Sequence, residues 1–168
     1  LSGETAGGDF PLEAVTTMVN TSMEAEKTLN FGSMYDKFRA LTQESVSAIS
    51  VYESVASSVC KQALESNAKA IIVVTDSERY VGMITKYRPN VPILLATSDE
   101  QFVRQASGYM KNVEAFHLPT SVESGFEAPL RSSLAFAVDS GVISGGDLVV
   151  ATMRVQSEIA DTPITLLV

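Results

Sequence analysis

The chain has 168 residues, with 20 acidic and 12 basic side chains, and its net charge of -8 argues against a surface that binds nucleic acid or anionic lipid. The single cysteine, Cys60, excludes an intramolecular disulfide and a multi-cysteine metal site, so we expect a reducing cytoplasm. No apolar run approaches the roughly 18 residues that span a bilayer, and the length suits one main domain with a real core.

The first thirty residues predict a small, Gly-rich segment followed by one amphipathic helix. Residues 1–8 are small and Gly-rich, and Asp9, Phe10 and Pro11 place an acceptor and a φ-fixed residue where a helix begins. One face of this helix is apolar as far as about Leu29: Leu12, Val15, Met18, Val19, Met23 and Ala25. This face needs a partner surface. Because the chain also opens without Met, we interpret it as part of a longer polypeptide.

A domain boundary is predicted near Asn30, which gives domains of 1–29 and 30–168. Gly32 and Ser33 interrupt the helical pattern, and residues 34–41 predict a separate two-turn helix. Ser50 and Glu53 have the spacing of a capping box, and the apolar repeat that follows predicts a helix up to Asn67.

The centre of the chain reads as a strand, a helix and a second strand. Residues 71–74 are an apolar β-branched run, residues 79–87 repeat at helical spacing, and residues 92–96 are again apolar. Runs without alternation are typical of strands covered on both faces. A second capping box, from Ser98 to Gln101, begins a helix that ends at Gly108.

The remaining pattern completes an open sheet. We predict a strand at 113–118, a polar loop at 119–125, a helix at 128–140 with Leu130, Leu134, Ala137 and Val138 facing inward, and strands at 148–153 and 164–168. The loop at 156–162 is so short that the last strand must return antiparallel. The fold class is therefore α/β: a three-layer α/β/α sandwich with a mostly parallel sheet of about five strands and an antiparallel last strand.

The best-placed candidate site is the turn after the first strand, because ligands of open α/β sheets bind beyond the carboxyl ends of strands. Its residues are Thr75, Asp76, Ser77, Glu78, Arg79 and Tyr80. The turn hydroxyls could receive a phosphate, or they could only cap the following helix. The lone His117 has no histidine or cysteine partner and is assigned a structural role, and Cys60 is assigned to the core as a small apolar residue.

Three segments resemble pyruvate kinase, in the order in which they occur in that family. They are Leu1-Ser2-Gly3-Glu4-Thr5-Ala6 with residues 8–15; Ala70-Ile71-Ile72-Val73-Val74-Thr75 with residues 86–89 and 92–93; and Gly145-Gly146-Asp147-Leu148-Val149-Val150. The resemblance covers essentially the whole chain. It implies that residues 1–29 are the last turn and helix of a catalytic (β/α)8 barrel, and that residues 30–168 are a C-terminal regulatory and assembly domain.

The resemblance also implies a function for the parent protein. It would transfer a phosphoryl group from phosphoenolpyruvate to ADP in glycolysis, with Mg²⁺ and K⁺, as a tetramer. The catalytic and metal-binding residues would precede Leu1, so this chain would hold none of them and would be inactive alone. Ser2, Glu4 and Thr5 would lie on the nucleotide side of that site, where Gly7 replaces a lysine that many members carry.

In the family, the turn that matches 75–80 often binds a sugar bisphosphate, together with a later loop that matches 156–162. Here Asp76, Glu78 and Tyr80 depart from the usual Thr/Ser-rich turn with Gly, and the later loop has no Gly and no Trp. We therefore expect fructose bisphosphates to bind no tighter than millimolar. The alternative is a free-standing, non-catalytic α/β module that senses a phosphorylated metabolite.

Overall fold

The computed structural model describes residues 2–119, 127–156 and 161–168, which form two compact units, Leu1–Asn30 and Phe31–Val168. The helices are α1 (Ser2–Ala6), α2 (Pro11–Glu26), α3 (Phe31–Ser45), α4 (Val51–Ser66), α5 (Glu78–Lys86), α6 (Glu100–Tyr109) and α7 (Glu127–Asp139). The strands are β1 (Ala70–Val74), β2 (Ile93–Thr97), β3 (Val113–His117), β4 (Val149–Gln156) and β5 (Asp161–Leu167). The assignment of the first unit to a barrel stays a prediction.

The first unit is a short helix followed by a longer one. The resemblance implies a turn at the start of the chain, and the structure has the short helix α1 there, with the Gly7 N–H donating to the Gly3 carbonyl at 3.1 Å. Gly8 follows in a position that no other residue fits, because an added Cβ would lie 2.5 Å from the Glu4 oxygen. Pro11 is the first residue of α2, as predicted. The N-cap residue is Phe10 and not Asp9, and no side chain caps this helix.

The second unit is built on a five-stranded sheet in the order β3-β2-β1-β4-β5. Neighbouring strands are parallel except for β4 and β5, which are antiparallel. This arrangement confirms the predicted fold class. Every residue of β1 and β2 is buried, as their unbroken apolar runs predicted.

Two apolar cores lie on opposite faces of the sheet because side chains alternate along each strand. Ile71 and Val73 of β1 face a core that includes residues of α4, α5 and α6. Ile72 and Val74 face a second core that includes Ala137 of α7. The inward prediction for α7 holds for Leu130, Leu134 and Ala137, but Val138 is half-exposed.

Two helix starts differ from their predictions. Helix α3 begins at Phe31 and includes Gly32 and Ser33, because Tyr35 and Phe38 pack against the core and outweigh weak local propensity. Helix α6 is capped by Asp99, whose carboxylate accepts from the N–H groups of Gln101 and Phe102, and not by Ser98.

The Ser50 cap of α4 is present, with its Oγ accepting from the Glu53 N–H at 3.2 Å. Strands β4 and β5 extend to Gln156 and from Asp161, so they take in both ends of the loop predicted at 156–162. Residues 157–160 of that loop, and residues 120–125 of the polar loop predicted at 119–125, lie outside the described residues.

Candidate effector site at the carboxyl edge of the sheet

The turn after β1 and the turn after β2 lie side by side, because the two strands are parallel neighbours. Asp76 joins them. Its Oδ1 accepts from Thr97 Oγ1 at 2.6 Å and from the Ser98 N–H at 2.8 Å, and its Oδ2 accepts from Ser98 Oγ at 2.7 Å. Burial opposes the charge, but these hydrogen bonds outweigh it and lower the pKa of Asp76. The carboxylate therefore holds two loops together.

Thr75 and Tyr80 turn their side chains into the protein. Thr75 is fully buried, and its Oγ1 accepts from the Ser77 N–H at 3.0 Å. Tyr80 is 1% exposed, and its hydroxyl lies 2.7 Å from Thr152 Oγ1 of β4. Burial raises the pKa of Tyr80 to about 12. Both hydroxyls thus have partners within the fold. The sequence had left open that they receive a phosphate.

The other three residues of the predicted site lie at the start of α5. Ser77 caps the helix, with its Oγ accepting from the Tyr80 N–H at 3.4 Å. Glu78 and Arg79 are exposed. The exposed charged groups of this turn are therefore two acids, Asp76 and Glu78, and one base, Arg79.

A buried charge cluster was missed by the sequence reasoning, which read Glu53 only as part of a capping box. Glu53 is 9% exposed, and its Oε1 accepts from Lys86 Nζ at 2.6 Å and from the Tyr87 hydroxyl. This cluster ties α4 to the end of α5. No local signal could have revealed it, because Glu53 and Lys86 are 33 positions apart.

The predicted nucleotide-side residues Ser2, Glu4 and Thr5 all lie in α1. Glu4 is exposed and Thr5 is half-buried. They belong to the first unit, whereas the residues of the effector turn belong to the second.

Cys60 and His117 have the surroundings expected of residues without a catalytic role. Cys60 is buried, its Sγ donates to the Ile84 carbonyl at 3.4 Å, and burial together with the nearby Glu53 charge raises its pKa to about 12. Such a thiol carries almost no thiolate near neutral pH. His117 is exposed at the end of β3, with Nε2 lying 3.2 Å from the Ser98 carbonyl.

The described ranges contain no group of three or more His, Cys, Asp or Glu residues that could hold a metal ion. The side chains in these ranges therefore do not fit the Mg²⁺ site that the resemblance implies for the parent. In the same ranges, no helix is long and apolar enough to cross a membrane.

Comparison with known proteins shows the family to which the chain belongs. A family model described as "Pyruvate kinase, alpha/beta domain" matches residues 53–167. The chain therefore belongs to the pyruvate kinase family. The pyruvate kinase of Eimeria tenella is 34% identical over 95% of the chain, and that of Candida albicans is 34% identical over 89%. The chain spans 29% and 30% of those two proteins.

Solved pyruvate kinase structures share the fold. A crystal structure of a Cryptosporidium parvum pyruvate kinase matches 99% of the chain at a TM-score of 0.80 and 27% identity. Another structure of the Cryptosporidium parvum enzyme, in complex with ADP, matches the whole chain at a TM-score of 0.80 and 28% identity. The chain spans 32% of each. These matches confirm the resemblance drawn from the three sequence segments.

Proposed function

We propose that this chain is the C-terminal part of a pyruvate kinase. The parent transfers a phosphoryl group from phosphoenolpyruvate to ADP, residues 1–29 complete its catalytic barrel, and residues 30–168 serve in regulation and assembly. The family membership and the one-third share of the relatives' length support this proposal. The matched enzyme in complex with ADP supports a nucleotide as a ligand of the parent.

The observation that carries the proposal is the exposed apolar face of α2. This 16-residue helix has no buried residue, although its sequence has an amphipathic pattern. Its large exposed apolar side chains are Leu12, Val15, Met18, Val19 and Met23. A face of this kind marks an interaction surface. The rest of a barrel would cover it, whereas a free-standing sensor module would leave it in water.

Catalysis belongs to the part of the parent that precedes this chain. Phosphoryl transfer needs charge stabilisation by metal ions and positioned cations. Mg²⁺ and K⁺ therefore belong to the parent's barrel in this proposal.

Regulation and assembly are the roles proposed for the second unit. The turn 75–80 is the candidate effector site, at which a sugar phosphate would bind no tighter than millimolar. Strand β5 forms one edge of the sheet, and the exposed Leu166, Leu167 and Val168 lie along it. An exposed apolar edge strand is a surface for pairing between chains. We infer that it contributes to a homo-oligomer, a tetramer in this family, in the cytoplasm.

The test begins with the transcript upstream of the Leu1 codon. A reading frame that encodes several hundred residues of alternating strands and helices is expected, whereas an initiator codon within a few residues of Leu1 would favour the sensor module. The encoded whole protein and the 168-residue chain are then assayed for pyruvate formation from phosphoenolpyruvate and ADP. Activity should appear only in the whole protein, and turnover by the chain alone would contradict the proposal.

A pair of variants of the whole protein tests the role of α2. Replacement of Val15 and Val19 by Lys should reduce activity and thermal stability, because both side chains belong to the exposed apolar face. Asn20→Lys, a polar position of the same helix, is the matched control and should have little effect. Equal effects of the two changes would show that the apolar face is not covered by a barrel.

A further inference from the structure

A basic groove lies on the outer surface of α5, beside the C-terminal end of α6. It has a volume of about 590 Å³. Four of the chain's 12 basic residues line it: Arg79, Lys86, Arg88 and Lys111. Glu78 is the one acidic residue in the lining. The groove is therefore positive in a chain whose net charge is -8.

The two arginines of the groove are available to a ligand. Both are exposed, and neither guanidinium has an ion-pair or hydrogen-bond partner within the described part of the chain, although the Arg88 N–H donates to the Thr85 carbonyl. Lys86 shares its charge with Glu53 at 2.6 Å and also lies over the Tyr87 ring. A guanidinium binds carboxylates through two parallel hydrogen bonds, so exposed arginines suit a ligand that carries carboxylates.

The backbone of the groove has two features that packing does not explain. Gly82 lies in the middle of α5, where glycine disfavours a helix, and a Cβ added there would have nothing within 4 Å. Arg88 has a φ of 53°, in the left-handed region, and precedes Pro89, where such a conformation is disfavoured. Gly82 keeps the groove open, and the conformation of Arg88 fixes a cation at its end.

The spacing of the charges indicates the shape of the ligand. Arg79 and Arg88 are nine positions apart along α5 and the residues that follow it, which is about 13 Å at the rise of an α-helix. Alternate side chains of an extended peptide are about 7 Å apart on one face, so two carboxylates four residues apart match this span. A compact anion with one charged group cannot reach both ends.

We propose that this groove is a docking surface for an extended acidic polypeptide segment. The proposal goes beyond the regulatory role argued above. The groove shares Glu78 and Arg79 with the effector turn, but its other basic residues, Lys86, Arg88 and Lys111, lie outside that turn. Charge complementarity carries the affinity, and Gly82 lets the peptide backbone approach the helix closely.

The test is a titration of the ¹⁵N-labelled chain with an acetylated hexaglutamate peptide at low salt, with hexaglutamine as the neutral control. Saturable shifts are expected at the amides of Gly82, Arg88 and Lys111, with a submillimolar Kd that rises with added salt. Inorganic triphosphate, as a compact anion, should bind more weakly. Binding by hexaglutamine, tighter binding of triphosphate, shifts centred on residues 75–77, or no saturable binding would each overturn the proposal.

Three variants separate docking from folding. Gly82→Gln fills the groove and should abolish binding, while the gain in helix propensity raises the Tm by roughly 2 °C. Arg88→Asn removes one charge but tolerates the left-handed conformation, and it should weaken binding about ten-fold. Arg131→Gln, on α7 across the sheet, is the matched charge control and should leave the Kd unchanged. The proposal would be overturned if Gly82→Gln still bound hexaglutamate. Equal losses of affinity in Arg88→Asn and Arg131→Gln would also overturn it.

Discussion

The carboxylate of Asp76 shows what a single side chain does at the carboxyl edge of the sheet. Asp76 departs from the family's usual turn sequence and adds a negative charge near a phosphate ligand, yet its oxygens already accept hydrogen bonds from Thr97 and Ser98. A charge that is compensated in this way repels a ligand less than a free one. Glu78 is left as the main source of repulsion at the turn.

We predict that Asp76→Asn costs about 1 kcal/mol of stability at pH 7, since hydrogen bonds to a charged acceptor are lost at a partly exposed site. Because the pKa of Asp76 is lowered in the fold, the native carboxylate contributes fully above its ordinary pKa of 3.8 and loses this contribution as the pH falls below that value. Urea unfolding should therefore show that the difference in free energy of unfolding between the native chain and Asp76→Asn is smaller at low pH than at pH 7.

Asp36→Asn, at an exposed position of α3, is the control and should change stability little at either pH. If the difference in free energy of unfolding between the native chain and Asp76→Asn stayed constant with pH, the Asp76 charge would not stabilise the fold.

The secondary-structure elements divide into those whose apolar faces are covered and one whose face is not. Helices α4, α5 and α6 bury their apolar residues against the sheet, and α2 has no buried residue. Burial of apolar surface is the main source of folding free energy. The second unit should therefore account for most of the stability of the chain.

We predict that deletion of residues 1–29 leaves cooperative unfolding, with a Tm within about 2 °C of the full chain. The deletion should also reduce aggregation, since it removes the exposed face of α2. Thermal unfolding followed by circular dichroism measures the first effect and light scattering the second.

The matched control lacks residues 161–168 instead. It loses the strand β5 that pairs with β4, and it should unfold at a much lower temperature. If deletion of 1–29 lowered the Tm by as much, the domain boundary near Asn30 would be wrong.

In the whole molecule, acidic net charge and a partly acidic turn act against phosphate ligands at the carboxyl edge. A helix N-terminus stabilises an exposed anion by roughly 0.3 to 1 kcal/mol, whereas a carboxylate about 4 Å from a phosphate charge opposes it by roughly 4 kcal/mol before screening, at an effective dielectric of about 20. Lys86 is already paired with Glu53 and offers less compensation. Repulsion therefore exceeds attraction at this turn unless the exposed Arg79 side chain turns toward the phosphate.

We predict that fructose 1,6-bisphosphate binds the chain no tighter than millimolar, and that Glu78→Gly strengthens binding by about ten-fold. Asp76→Ser should strengthen it less, because that carboxylate is compensated by Thr97 and Ser98. Calorimetric titration measures both. Glu13→Gly, in the first turn of α2, is the control for net charge. Micromolar binding by the unmodified chain would contradict the prediction.

The sequence by itself determined the features that depend on neighbouring residues. Unbroken apolar runs located β1 and β2 as buried strands, Ser50 and Ser77 located helix starts, and three segments indicated the family. The strand and helix-start signals each lie within a few positions along the chain, so local propensity and hydrophobic pattern are enough to read them, whereas the family follows from resemblance.

Only the tertiary structure decided what depends on residues distant in sequence. The hydrogen bond from Ser98 to Asp76 joins residues 22 positions apart, and that from Lys86 to Glu53 joins residues 33 positions apart. Asp76 was predicted as part of a ligand site and Glu53 as part of a cap, and both carboxylates also connect separate elements of the fold. Core packing extended α3 through Gly32 and Ser33 against local propensity. These contacts follow from strand order and helix placement, which bring together groups that no spacing along the chain relates.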